Sequence, residues 1–166
     1  MTLQELNALP EDQAEAAFRN CCNADTWVEG MVDHRPYTSQ AEILEASQAL
    51  WPLLSEADWL QAFEAHPRIG DIETLRNKYA QTRALASKEQ AAAKEAPEAL
   101  LTRLKALNDA YLERFGFIFI VCATGKSAAD MLQLLEQRLP NTRSRELEIA
   151  AREQARITEL RLEKLL

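Results

Sequence analysis

The sequence predicts an all-α fold, an irregular bundle of about seven to nine helices in a single domain spanning residues 1–166. Apolar residues recur at helical spacing along most of the chain. Several of these stretches follow a serine or threonine with an acidic residue three positions later, which is typical of a helix N-cap. The chain has only 4 glycines and 6 prolines, a balance that indicates a globular protein.

The N-terminal half of the chain contains several segments that begin with a cap-forming residue. In each, a hydroxyl or amide oxygen can accept a hydrogen bond from the first helical turn. The first segment is a short helix that Pro10 ends, a second helix covers about residues 10–22, and a third runs to about Asp33. The expected N-caps are Thr2 with Glu5 at the third position, Asn23, Ser39 with Glu42, and Ser55.

The C-terminal half begins and ends with a long helix. Pro97 suits the first turn of one helix, and Gly116 suits its C-terminal cap. The segment from Phe117 to Cys122 is apolar and β-branched like a strand, but the sequence offers no second strand, so we predict a buried extended connector. Ser127 with Asp130 opens the next helix, and the last begins at about Thr142. Its charged residues, expected to pair one turn apart, include Glu146, Glu148 and Arg152.

The net charge of −7 excludes several classes of partner. An acidic surface repels phosphate groups, so we expect neither nucleic acid nor an anionic membrane as a partner. The longest apolar run, Phe117 to Ala123, is too short to cross a bilayer. Residues 1–5 do not resemble a signal peptide and residues 163–166 are not a peroxisomal signal, so we expect a cytoplasmic protein.

The three cysteines predict reduced, buried thiols. Their number is odd and no Cys-x-x-Cys is present, which argues against a disulfide framework. A metal site is not predicted either, because the 2 histidines show no His-x-x-x-His spacing. Gly125-Lys126-Ser127 is a fragment of a phosphate-binding loop, but Ile120 stands where the full pattern requires glycine. We therefore interpret Ser127 as a helix cap and Lys126 as exposed.

His66 is a candidate for acid–base chemistry. Pro67 disfavours helical geometry at the residue before it, so His66 is expected at a helix end or on a loop. An imidazole in such a place can exchange protons near pH 7. The alternative is a hydrogen-bonded histidine that only closes a helix.

Two further charged residues allow a structural or a functional interpretation. Glu89 falls in the first turn of a helix that Ser87 can cap, with Gln90 reaching back, and the helix dipole favours its ionised form. A carboxylate fixed there can also orient a histidine. Arg161 is either a solvated arginine of a charge-rich helix or a clamp for an anion, to which guanidinium geometry is suited.

The order of these patterns resembles one family along almost the whole chain. His66-Pro67-Arg68-Ile69-Gly70 is followed by Glu89-Gln90. Next comes Leu107-Asn108-x-x-Tyr111-x-x-Arg114-Phe115-Gly116-Phe117-x-Phe119-x-Val121-Cys122-Ala123, and Arg156-Ile157-x-x-Leu160-Arg161-Leu162 lies near the end. This order resembles the 2-oxo-4-hydroxy-4-carboxy-5-ureidoimidazoline (OHCU) decarboxylases of urate breakdown.

The resemblance implies an all-α enzyme without metal or organic cofactor. It would convert OHCU, a small ureide, into (S)-allantoin and carbon dioxide, and it could form a homodimer. The resemblance places catalytic roles on His66 and Glu89. It places substrate-binding roles on Pro67, Gln90, Phe119, Ile120, Val121, Cys122, Ala123 and Arg161.

One departure and two alternatives accompany this interpretation. Family members usually carry serine three residues before the catalytic glutamate, but Ala86 stands there, which puts a hydroxyl contact from that position in doubt. A non-enzymatic helical binding module would also account for the amphipathic helices. A hydrolase acting on a related ureide, with His66 activating water, is the other alternative.

Overall fold

The computed structural model describes residues 1–67, 73, 77 and 97–166 of the protein. The ranges 1–67 and 97–166 contain eight α-helices, one 3₁₀ turn and no strand, which confirms the predicted all-α fold. None of the helices in these ranges is long and apolar enough to cross a membrane. The helices are α1 (Leu3–Ala8), α2 (Glu11–Arg19), α3 (Asp25–Asp33), α4 (Gln40–Leu50), α5 (Glu56–Glu64), α6 (Pro97–Phe115), α7 (Ala128–Arg138) and α8 (Arg143–Leu165), with the 3₁₀ turn at Trp51–Leu53.

The chain divides into two compact units. The first combines Met1–His66 with Ala150–Leu166, and the second is Pro67–Ile149. Helix α8 belongs to both, because its residues up to Ile149 are part of the second unit and its later residues are part of the first.

Helix α3 organises the first unit, where it contacts α2, α4 and α5. Its Trp27 and Met31 side chains are completely buried. Gly30 allows α4 to approach closely, since a Cβ atom at this position would lie 2.8 Å from Cδ1 of Leu50. The indole N–H of Trp27 donates a hydrogen bond of 3.1 Å to the Ser47 hydroxyl, which satisfies the buried polar groups of both side chains.

Four of the predicted helix caps are confirmed. The side-chain oxygens of Thr2, Ser39, Ser55 and Ser127 each accept a hydrogen bond from the backbone N–H three residues later. At Thr2, Ser55 and Ser127 the acidic residue at the third position also accepts from the cap's own N–H, which completes a capping box.

The prediction that Asn23 caps α3 is wrong, because tertiary contacts replace the local cap. The Asn23 side-chain oxygen accepts a hydrogen bond of 2.8 Å from Arg19, and Ala24 occupies the N-cap position. The first-turn N–H of Asp25 donates instead to the side-chain oxygen of Gln61, at 2.9 Å. Helix α2 also ends at Arg19, earlier than predicted.

The second unit contains α6 and α7, which contact each other, and the start of α8. Gly116 follows α6 with a φ of 81°, the left-handed conformation that a glycine cap permits. From Phe117 to Ala123 the chain forms neither helix nor strand, as predicted, and Ile120 is buried. We call Phe117–Ala123 the connector.

The prediction that Glu146 pairs with a charged residue one turn along α8 is wrong. Its side chain is completely buried and accepts hydrogen bonds from Arg138 (2.5 Å) and from the Tyr111 hydroxyl (2.6 Å). Asn141 donates to its second oxygen at 2.9 Å. A buried carboxylate requires such partners, because removing it from water is costly.

Candidate active site

His66 lies immediately after α5, at the helix end that the sequence predicts. Helix α5 ends at Glu64, and the backbone N–H of His66 donates to the Phe63 carbonyl at 3.1 Å. The imidazole is half-buried, while Pro67, which follows it, is exposed. His66 is therefore partly enclosed by protein and partly exposed.

Gln154 of α8 holds one nitrogen of the His66 ring. The two side chains meet through His66 Nε2 and Gln154 Oε1, which are 2.6 Å apart. Gln154 is only 1% exposed, so water does not compete strongly for this contact. Both residues belong to the first unit.

Thr158 in turn fixes the amide of Gln154. The amide nitrogen of Gln154 lies 3.1 Å from the Thr158 hydroxyl oxygen, and that hydroxyl lies 2.9 Å from the Gln154 carbonyl oxygen one turn earlier. Thr158 is also buried, so the two side chains form a small polar network behind the imidazole.

The sequence motifs do not predict a role for Gln154, although the burial pattern of α8 contains a signal for one. Besides Ala151, the buried positions of α8 in the first unit follow one another every four residues, at Ala150, Gln154, Thr158 and Leu162. Two neutral polar residues therefore interrupt an otherwise apolar helix face. Buried polar groups need partners, so this interruption indicates a polar contact made from that face.

Arg161 follows Gln154 by seven residues, which is about two helical turns, so the two residues share a face of α8. At about 1.5 Å per residue, Arg161 lies roughly 10 Å further along the axis. Its side chain is exposed, and its Nη1 donates a hydrogen bond of 3.4 Å to the Cys21 carbonyl.

The three cysteines are buried and form no disulfide, as predicted. Burial raises the pKa of the Cys21 thiol to about 11, although the Arg161 charge opposes that rise. Burial likewise raises the pKa of the Cys22 thiol to about 12, against the effect of its hydrogen bond with Thr158. Both thiols are protonated near neutral pH, which does not suit a nucleophile.

The connector carries five of the predicted substrate-binding residues, Phe119 to Ala123. Burial alternates along it, with Ile120 and Cys122 buried while Phe119, Val121 and Ala123 are half-exposed. Such alternation is typical of extended backbone, whose successive side chains point to opposite sides. Phe119, Val121 and Ala123 therefore share one accessible side of the connector.

Two cations anchor the backbone of the connector. Arg138 Nη1 donates to the Ile120 carbonyl, and Lys126 Nζ donates to the Cys122 carbonyl, both at 2.7 Å. Lys126 is thus half-buried and hydrogen-bonded, which corrects its prediction as an exposed residue. The guanidinium carbon of Arg138 also lies 4.5 Å from the centre of the Phe119 ring, a cation–π contact.

The remaining predicted site residues are not described. Glu89, Gln90 and Ala86 lie outside the described residues, and their roles stay predictions. Within the residues that the structure describes, no three histidine, cysteine, aspartate or glutamate side chains are grouped as a metal site would require.

Comparison with known proteins identifies the family. A model of the OHCU decarboxylase family matches residues 7–163. The chain belongs to the OHCU decarboxylase family. The resemblance inferred from the sequence motifs is therefore confirmed.

Curated relatives of this OHCU decarboxylase family member include a longer protein and one of similar length. The uric acid degradation bifunctional protein TTL of Arabidopsis thaliana is 38% identical over 151 residues, covering 91% of this chain and 47% of the relative. The 2-oxo-4-hydroxy-4-carboxy-5-ureidoimidazoline decarboxylase of Haloferax volcanii is 28% identical and covers 98% of this chain and 94% of the relative. This chain therefore spans about half of the plant protein and nearly all of the archaeal one.

Solved structures agree with the family's fold. A crystal structure of OHCU decarboxylase in the presence of (S)-allantoin superposes with a TM-score of 0.70 at 34% identity, covering 89% of this chain and 95% of that one. A structure of (S)-allantoin synthase superposes with a TM-score of 0.73 at 19% identity, covering all of this chain and 54% of that one. The second match shows a shared fold.

Proposed function

We propose that this chain catalyses the cofactor-independent, stereoselective decarboxylation of OHCU to (S)-allantoin and carbon dioxide in urate degradation. The family match over residues 7–163 carries this proposal. The half-buried imidazole of His66, held at a helix end by Gln154, adds a suitable acid–base group.

The chemistry can proceed on the substrate's own ring. The bond between a ring carbon and the carboxylate breaks, carbon dioxide leaves, and the electron pair passes into the conjugated imidazoline ring. A proton must then reach one face of the ring to give a single enantiomer. The protein has to orient the breaking bond, exclude water and deliver that proton.

His66 is the proposed acid–base residue. It either takes the proton of the substrate hydroxyl or protonates the carbanion-like intermediate, and a positioned acid or base contributes roughly a hundred- to ten-thousand-fold in rate. In this proposal Glu89 orients His66 or the ureido group, Gln90 hydrogen-bonds the substrate, and Pro67 lines the site.

The connector and Arg161 are the proposed substrate-binding elements. Backbone groups from Phe119 to Ala123 suit ring and ureido atoms, and the anchored carbonyls of Ile120 and Cys122 keep that backbone in place. Arg161 binds charge or carbonyl groups away from the breaking bond. A tight clamp on the departing carboxylate would stabilise the ground state and slow the reaction.

Product analysis tests this function. Urate is oxidised by urate oxidase, hydroxyisourate hydrolase supplies OHCU, and circular dichroism follows the appearance of (S)-allantoin with and without the protein. We expect the protein to accelerate (S)-allantoin formation with release of one carbon dioxide per allantoin. Consumption of OHCU without carbon dioxide would indicate a ureide hydrolase, and an unchanged rate would indicate a binding module.

The finer properties of the protein complete the proposal. We propose a cytoplasmic enzyme in which residues 1–166 act as one catalytic domain. Its substrate is a small ureide, and it forms a homodimer. The buried cysteines, none of which forms a disulfide, support a reducing compartment. Light scattering tests the dimer, since a single mass near 18.8 kDa would contradict it.

A further inference from the structure

The hydrogen bonds of Thr158 determine which way the Gln154 amide points. A threonine hydroxyl has one proton, and in Thr158 that proton is donated to the Gln154 backbone carbonyl at 2.9 Å. The hydroxyl oxygen can therefore only accept from the Gln154 side chain, 3.1 Å away. The amide nitrogen faces Thr158, and the amide oxygen consequently faces His66.

An amide oxygen can only accept, so His66 Nε2 must be the donor across the 2.6 Å contact. A neutral imidazole carries one proton, and a proton held on Nε2 places the lone pair on Nδ1. Gln154 and Thr158 are 1% and 3% exposed, so a flipped amide would set two buried acceptors, the amide oxygen and the Thr158 hydroxyl oxygen, against each other. Such a mismatch is costly in a buried network.

We infer that Gln154 is a positioning residue that fixes the tautomer of His66, so that Nε2 keeps its proton and Nδ1 is the nitrogen that exchanges protons with the substrate. The inference rests on the proposed function of His66. It assigns Gln154 no contact with the substrate, and its effect reaches the reaction only through the imidazole.

The second histidine provides an internal reference with the opposite tautomer. His34 Nδ1 lies 2.7 Å from the Gly30 backbone carbonyl, which can only accept a hydrogen bond. His34 therefore carries its proton on Nδ1 when neutral. Because the chain has only 2 histidines, each ring can be assigned by replacing the other.

Nitrogen-15 NMR of histidine-labelled protein measures both tautomers directly. At a pH where titration shows both rings to be neutral, we expect the proton of His66 on Nε2 and that of His34 on Nδ1. The Gln154 contact should also slow exchange of the His66 ring proton, so that its N–H signal is observable.

Three glutamine variants separate positioning from packing. Gln154→Leu removes the acceptor, and we expect loss of the protected Nε2–H signal. We also expect a fall in kcat of about ten-fold or more at unchanged KM, smaller than the fall caused by removing His66. Gln154→Glu retains an acceptor and should preserve the signal and most of kcat. Gln61→Leu, a matched change in the same unit whose amide bonds to Asp25, should change neither.

Thr158→Val provides a second route if Gln154→Leu does not fold. It frees the Gln154 amide to rotate, so the Nε2–H signal should exchange faster and kcat should fall. A wild-type His66 ring protonated on Nδ1 would overturn the inference, as would an unchanged signal and kcat in folded Gln154→Leu or Thr158→Val. The NMR measurement needs no substrate, so an inactive wild-type protein would refute the proposed function, whereas an active one with the other tautomer would refute this inference alone.

Discussion

Arg138 and Glu146 form a buried ion pair in the second unit, with Nε of the arginine 2.5 Å from the carboxylate and side-chain exposures of 8% and 0%. The same guanidinium donates to the Ile120 carbonyl at 2.7 Å. One arginine therefore connects α7, α8 and the connector that is proposed to bind the substrate.

Arg138→Met should destabilise the protein strongly. It leaves the Glu146 carboxylate buried without its cation, which typically costs about 3–5 kcal/mol. The free energy of unfolding, measured with urea, reports this loss. Arg103→Met is the matched control, because it breaks an ion pair with Glu136 whose side chains are 56% and 44% exposed. That exposed pair should contribute less than about 1 kcal/mol, and equal losses in the two variants would contradict the account.

Lys126→Met should weaken substrate binding more than it weakens folding. It removes the hydrogen bond that anchors the Cys122 carbonyl, and one such bond contributes about 1 kcal/mol, or about a five-fold rise in KM. Steady-state kinetics measure this effect. Lys105→Met removes a lysine that pairs with Asp109 on α6 and should leave KM unchanged. An unchanged KM in Lys126→Met would indicate that this anchor does not position the substrate.

Arg161→Ala should raise KM and leave kcat near the wild-type value. A residue that binds the substrate away from the breaking bond stabilises ground and transition states alike. Arg161→Lys should give an intermediate KM, since it keeps the charge and loses the guanidinium fork. A fall in kcat at unchanged KM would instead place Arg161 at the reacting carboxylate.

The buried Cys22 thiol makes stability fall at alkaline pH. Its pKa is raised by burial to about 12 from an ordinary 9.0, so between these values the unfolded chain has lost a proton that the folded chain keeps. The contribution of this thiol to the free energy of unfolding is fully present below its pKa in the unfolded chain. Above that pKa, the contribution decreases by about 1.4 kcal/mol for each pH unit. Cys22→Ala should therefore lose stability less steeply above pH 9.0 than the wild type in urea unfolding. Parallel losses would contradict this contribution.

Local sequence signals predicted most helix starts but not those set by distant partners. Ser55 and Ser127 have their acidic partner three residues away, so the complete cap can be read from the sequence. The side chain of Asn23 is suited to an N-cap, but its oxygen accepts a hydrogen bond from Arg19. The side-chain oxygen of Gln61 accepts the hydrogen bond from the first turn of α3 instead. Gln61 is far along the chain from that turn, and no local pattern reveals the contact.

In the candidate site too, sequence patterns predicted some residues and missed those whose roles depend on contacts with distant parts of the chain. The helix-end position of His66 follows from Pro67, and family motifs supplied the remaining predicted residues. Gln154 and Glu146 were missed because both lie in a helix rich in charged residues, where a polar side chain is normally solvated. Their roles depend on burial, which brings each against a partner from another part of the chain.

The most direct test of the central claim compares the two histidines in the coupled circular dichroism assay. His66→Ala should form (S)-allantoin about a hundred-fold or more slowly, because the acid–base group is absent. His34→Ala removes an exposed imidazole whose Nδ1 contacts the Gly30 carbonyl, and it should match the wild type. Formation of (S)-allantoin by His66→Ala at the wild-type rate would contradict the assignment of His66 as the catalytic acid–base residue.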